Sequence, residues 1–299
     1  MEAFFLIDKA KGDNSFKLVL ALRKKLQEKS IGFAGTLDPL ASGLMLLATG
    51  EFTKLLPYLE IQDKVYRVKV KLGAVSETMD AQGPISEVDP NSYKQPNSEV
   101  VSKLIEQYFL GKIEQTPPRY SAIQIDGKRA YDMARKGLQF EMKKRSVEIF
   151  ACEVIGFEFP FLEMEVHCSS GTYIRSLAHE IGEKLGCGGY VEDLRRLRIG
   201  NLDLVNAVQV DEINSTNWQD KALPVEQIFS QAIWLNLKKE QYEVLARGNF
   251  LNKNQVNGLP DRLGKALVLA EFAGNVVGVI EETTDGAELK FKKKFNIFG

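Results

Sequence analysis

The chain is poor in the residues that build metal and disulfide sites. Its 299 residues include only three cysteines and two histidines. Cys152, Cys168 and Cys187 are odd in number and lie 16 and 19 positions apart. That spacing fits no zinc motif and cannot close a disulfide framework, so reduced thiols in a cytosolic setting are expected. His167 and His179 are too few for a histidine-rich metal centre. No stretch of about 18 residues is apolar and free of charge, glycine and proline. Met1 is not followed by a basic segment and an apolar run of the secretory kind. These absences predict a soluble, cytoplasmic chain with no membrane contact. There is no internal repeat, low-complexity tract, Walker loop or dinucleotide fingerprint. Net charge is also nearly missing, at −1. The total therefore gives no sign of a nucleic-acid partner, although local basic patches survive a cancelling sum.

Charge is scarcest where it is most informative. Between Ser30 and Gly50 the single charged residue is Asp38, within Gly32-Phe33-Ala34-Gly35-Thr36-Leu37-Asp38-Pro39-Leu40-Ala41-Ser42-Gly43. Taking a carboxylate out of water without a partner is costly. Pro39 biases Asp38 toward extended backbone, and the glycines permit tight turns or close approach. Asp38 reads either as an acid presented from an apolar loop or as the cap of a helix beginning at Pro39.

What is present divides into two textures. Ala3 to Ile7 reads as a buried strand, and Asn14 or Ser15 caps a helix through about Lys29. In Val65 to Leu72, Tyr66, Val68, Val70 and Leu72 share one face, while Val65, Arg67, Lys69 and Lys71 share the other. Ser98 opens an amphipathic helix to about Leu110. Gln115 to Gly137 reads as a basic, aromatic-bearing excursion outside the core. Val147 to Ile155 and Phe161 to Cys168 read as strands. Gly171-Thr172 opens a helix closed by Gly186, with Arg175 in its first turn, where a cation opposes the helix dipole. A second short helix is expected over Leu194, Arg195, Arg196, Leu197 and Arg198. Beyond about Gln227 a short helix and compact strands suggest a separate β-rich domain. Residues 1–226 and 227–299 are thus expected as two domains, the first of the α+β class.

Several segments together resemble the bacterial tRNA pseudouridine-55 synthases, the TruB family. They are Phe5-Leu6-Ile7-Asp8-Lys9-Ala10-Lys11-Gly12, the Gly35–Gly43 stretch, Asp63-Lys64-Val65-Tyr66-Arg67-Val68, Gln115-Thr116-Pro117-Pro118 with Tyr120-Ser121-Ala122, Gly171-Thr172-Tyr173-Ile174-Arg175, and Leu194-Arg195-Arg196-Leu197. The resemblance implies a mixed, mostly antiparallel sheet flanked by helices. It also implies a cofactor-free isomerisation of a T-loop uridine, tRNA position 55, to pseudouridine. Asp38 would be the nucleophile, attacking ribose C1′ or adding to uracil C6, or would deprotonate ribose C2′ to give a glycal. Arg175 would hold it as a fixed cation through two parallel hydrogen bonds.

Tyr66 would stack on the base and move a proton, and Leu194 would line the pocket. Lys9, Lys64, Arg67 and Tyr173 would join the substrate-binding set, with Lys69, Lys71, Arg195, Arg196, Arg198 and Lys290 to Lys294 as further phosphate candidates. Residues 115–137 would form an RNA-binding flap that orders on RNA, and the tail is similar to a PUA domain. Phe33 stands where the family usually has histidine and is expected to keep a wedge or stacking role, a core phenylalanine being the alternative. Ala10 replaces a usual proline. The expected partner is tRNA, with no metal and no obligate protein partner, and the chain is expected to be a monomer. Two other readings use the same residues: a guide-RNA-dependent pseudouridylase subunit, and an RNA chaperone whose action would survive Asp38→Asn.

Overall fold

The computed structural model describes residues 1–297. Nearly continuous buried runs build β1 (Phe4–Lys9) and β3 (Ser42–Thr49), and alternating or mixed patterns build β2 (Ile31–Ala34), β4 (Lys64–Leu72), β5 (Gly111–Gln115), β6 (Arg145–Glu158), β7 (Phe161–Cys168), β8 (Gly189–Ile199) and β9 (Leu202–Asp203). They form one nine-stranded sheet with main order β1-β3-β8-β4-β7-β6-β5, β2 pairing β3 and β9 pairing β8. All pairings are antiparallel except β3–β8.

The helices α1 (Ser15–Leu26), α2 (Ser98–Tyr108) and α4 (Ile174–Lys184) cover one sheet face, while α3 (Ala130–Arg135) lies in the excursion. Asn14 caps α1 by accepting the Phe16 N–H, as its side chain predicts. Leu18, Val19 and Leu22 of α1 and Leu177, Ala178 and Ile181 of α4 pack on Met45, Tyr66, Val68 and Val166. The opposite face is apolar only at one end. There Phe4, Leu6, Leu44 and Leu46 meet Leu269, Val276 and Phe295. Leu269 and Val276 come from a five-stranded sheet of β10 (Ile233–Asn236), β11 (Leu251–Asn252), β12 (Val268–Phe272), β13 (Asn275–Glu282) and β14 (Glu288–Lys294), ordered β10-β12-β13-β14-β11, beside α5 (Lys239–Ala246), and Phe295 directly follows its last strand in sequence. Among the described residues no helix is long and apolar enough to cross a membrane.

Two expectations are corrected. Leu194 to Arg198 is not a helix but part of β8, seated between β3 and β4. Its Leu-Arg-Arg-Leu-Arg text suits either period, and hydrogen bonds to both neighbours decide the matter. Irregularities between Val191 and Asp193 and between Arg196 and Arg198 further blur its alternation. Nor does Asp38 cap a helix: residues 35–41 form a loop between β2 and β3.

That loop enters β3 through a glycine that geometry requires. Gly43 has φ +102°, and a Cβ there would lie 2.3 Å from the Arg196 carbonyl oxygen. Gly43→Ala is expected to cost about 4 kcal/mol or more, read as a collapse of the thermal melting midpoint.

Candidate active site

The Asp38 loop is held from both sides by backbone contacts. Ser15, at the start of α1, donates its hydroxyl to Leu37 O at 2.8 Å and accepts Leu37 N–H at 3.1 Å. The Gly12 N–H donates to Pro39 O at 2.7 Å. The first sequence motif thus clamps the loop that carries the acid. Lys9 is fully buried and folds the turn between them, its Nζ donating to Ala10 O at 3.1 Å and Asp13 O at 2.6 Å. It acts through this turn and through its charge near Asp38, and it does not line the cavity described below.

Arg175 projects from the first turn of α4 and is 5% exposed. Its Nε lies 2.9 Å from Asp38 Oδ2. The remaining nitrogens turn elsewhere: Nη1 donates to Thr78 O at 3.0 Å, and Nη2 donates to Tyr120 O at 3.0 Å. The expected two-pronged grip on Asp38 is therefore a single contact, because the rest of the fork ties two other segments to the site. Asp80, which sequence reasoning missed, is buried with Oδ2 3.6 Å from Arg175 Nη1. Its own loop is fixed by Thr78 Oγ1 and Gln82 N–H donating to Oδ1 at 2.6 and 3.0 Å. Nothing in the spacing of Thr78-Met79-Asp80 signals this role.

Asp38 and Arg175 lie on the wall of a cavity of about 370 Å³. Tyr66, Leu194, Lys64 and Tyr173 line it too. Four of the expected substrate-contacting residues are thus brought together with the acid and its cation. Lys64 is buried and bonded through Nζ to the Glu60 and Gln62 carbonyls at 2.5 Å each, and burial pushes its pKa down to about 8. Tyr173 caps α4. Its backbone N–H donates to Gln115 Oε1 at 2.8 Å, and the Arg145 guanidinium sits 4.9 Å from its ring centre. Burial pushes Asp38 above the ordinary carboxylate value, Arg175 opposes that rise, and Asp80 adds to it. The Asp38 side chain keeps 38% of its surface open, so the carboxylate faces the cavity and not the core.

Other expected contacts fall elsewhere. Phe33 is partly buried against the main core and is not on the cavity wall. Arg67 faces the far side of the sheet and pairs with Glu165 at 3.2 Å, beside Lys69 with Glu163 at 3.4 Å. Arg195 pairs with Asp8 at 2.7 Å, and Lys290 with Glu281 at 3.3 Å. Such self-neutralised stripes leave little field for phosphates. Arg196 is buried, not a surface cation.

The excursion differs from these stripes. Gln115, Pro117 and Pro118 at its root are buried, against expectation, and Gln115 Nε2 donates to Tyr173 O at the start of α4 at 3.0 Å. Beyond them a two-strand hairpin, Gln124–Ile125 with Lys128–Arg129, leads into α3. Arg129, Tyr131 and Arg135 border a cleft of about 570 Å³ that shares Asp38 and Arg175 with the cavity.

An acid on an apolar loop, a buried arginine from a helix start and a tyrosine from a central strand thus meet at one cavity. The sequence model described as the TruB family pseudouridylate synthase N-terminal domain matches residues 23–174. The chain belongs to the TruB family. A second model, the tRNA pseudouridylate synthase B C-terminal domain, matches residues 175–233 and ends where the five-stranded sheet begins. Among TruB relatives, the tRNA pseudouridine synthase B of Clostridium tetani is 36% identical over 263 residues, 88% of each chain. That of Chlamydia abortus is 43% identical over 204 residues, 68% of this chain and 85% of the relative. A chain from a Cbf5–Nop10–Gar1 complex superposes with a TM-score of 0.73 at 22% identity, covering 98% of this chain and 84% of that one. At that identity the likeness is one of fold.

Proposed function

We propose that this chain isomerises a uridine of tRNA to pseudouridine, with the T-loop uridine at position 55 as its target. The observation that carries the reading is the Asp38–Arg175 ion pair, 2.9 Å apart, on the wall of a cavity lined also by Tyr66 and Leu194. The reaction breaks N1–C1′, forms C5–C1′, removes the C5 hydrogen and places one on N1. It is redox-neutral. Asp38 is the central acid, and attack at C1′, addition at C6 and deprotonation at C2′ all need the ionised carboxylate that Arg175 favours. Leu194 packs on the flipped base and Tyr66 moves its protons. Extracting the base costs about a few kcal/mol, offset in part by phosphate contacts from Arg129 and Arg135 of the 115–137 flap.

Residues 227–299 form a PUA-like RNA-binding domain in this reading, and the chain works as a cytoplasmic monomer without an obligate protein partner. The guide-RNA-dependent alternative has only the likeness of fold behind it. Incubation with a T-loop stem–loop RNA tritiated at uridine C5, with no other protein or RNA, tests the proposal. Stoichiometric tritium release is expected. Tight binding without release would overturn it in favour of a chaperone or a guide-dependent subunit.

A further inference from the structure

The wall of the cavity contains a buried cation without an anion. Arg196 is 1% exposed. Among the described residues it has no ion pair with Asp or Glu. Its Nε donates to Leu44 O at 2.7 Å and its Nη2 to Gly35 O at 3.0 Å. An interior guanidinium left to carbonyl partners is costly and calls for a use. Arg196 is the direct cross-strand partner of Tyr66 in the antiparallel β8–β4 ladder, so the two side chains leave the sheet on the same face. Both side chains line the same cavity, which places the guanidinium beside the Tyr66 ring. One side chain therefore ties the loop of Asp38 to strand β3 and stands next to Tyr66 on the cavity wall.

We propose, on the basis of the function given above, that Arg196 is the positioning residue that makes Tyr66 a two-way proton carrier. Once C5 is joined to C1′, the ring holds an N1=C6 double bond and a tetrahedral C5 that still bears its hydrogen. N1 and C5 flank the same carbon, C6, so one hydroxyl at that edge reaches both. Tyr66 gives its proton to the N1 lone pair. The phenolate then takes the C5 proton, the C–H pair closing the C5=C6 double bond as the N1=C6 π pair moves to N1. The proton count balances and the phenol is regenerated. A buried phenol resists ionisation, and the adjacent guanidinium stabilises the transient phenolate. Lys64 is committed to its two carbonyls.

The test is single-turnover kinetics on T-loop RNA with hydrogen or deuterium at the target C5, for the wild type, Arg196→Lys, Tyr66→Phe and the double variant. Failure of the wild type to release C5 hydrogen would sink the functional reading itself. With an active wild type, Arg196→Lys is expected to slow turnover about 100-fold, enlarge the C5 isotope effect and leave RNA affinity unchanged. In the Tyr66→Phe background the same change is expected to cost under about threefold. Equal losses in both backgrounds, or an unchanged isotope effect, would overturn the proposal. If Arg196→Lys does not melt cooperatively, the native chain supplies the readout. Cross-relaxation between Arg196 guanidinium protons and the Tyr66 ring is expected, and its absence would overturn the proposal equally.

Discussion

Asp38→Asn is expected to abolish turnover, by about 10⁴-fold or more, without lowering the melting temperature. The two halves of this result have one cause. The surroundings of Asp38 disfavour its charge, burial outweighing the help of Arg175 and Asp80 adding repulsion. The fold therefore favours the carboxylate less than water does, while the chemistry needs the carboxylate. Asparagine keeps the shape and removes the disfavoured charge. The sign of the pH dependence follows. A carboxyl whose folded pKa is raised is bound to its proton more tightly in the native state, so ionisation costs stability. That cost is absent below the ordinary value of 3.8 and fully present above the raised native value. The variant and wild type should melt alike in acid, and the variant should match or exceed the wild type as pH rises through that window. Parallel melts from pH 3 to 8, with the tritium assay at neutral pH, check both halves. A variant that loses activity only by unfolding would show Asp38 to be structural.

How far the site could be read from sequence depended on whether its residues advertised themselves locally. Asp38 stood out because its neighbours are apolar, and Arg175 because a cation in the first turn of a helix is misplaced. Both sit where that reading put them. The strand of Tyr66 was legible from clean alternation, and its buried face is the cavity face. Arg196 was misjudged because a run of arginines and leucines looks like the solvated side of a helix. Only the ladder with β3 and β4 turns it inward. Asp80 was invisible, since its importance arises from packing against an arginine 95 positions later in the chain. Glu163 and Glu165, the partners of Lys69 and Arg67, could not be foreseen either, because they lie on another strand. Long-range partnership is the common element of these misses, and no local pattern encodes it.

Arg175→Met is expected to cost about 10³-fold in kcat/KM and about 3 kcal/mol or more of stability, and to move the acid limb of activity to higher pH. The guanidinium is the largest influence holding the Asp38 pKa down. Without it the carboxyl climbs further, so a larger fraction is protonated at any given pH and the limb shifts upward. The stability loss has separate origins: buried Asp80 loses its cation, and Thr78 O and Tyr120 O lose their donors. The part due to Asp38 should fade as acid protonates it. Arg175→Lys separates charge from shape. A lysine ammonium can approach Asp38 but cannot also reach Thr78 O and Tyr120 O with a planar fork. It is therefore expected to restore most of the limb position while remaining about 100-fold slow, because the Tyr120 end of the 115–137 segment is no longer tied to the site. Profiles of kcat/KM against pH for the three proteins decide the matter. A lysine variant with full activity would mean that charge alone suffices. An unmoved limb in the methionine variant would mean that some other group controls the ionisation of Asp38.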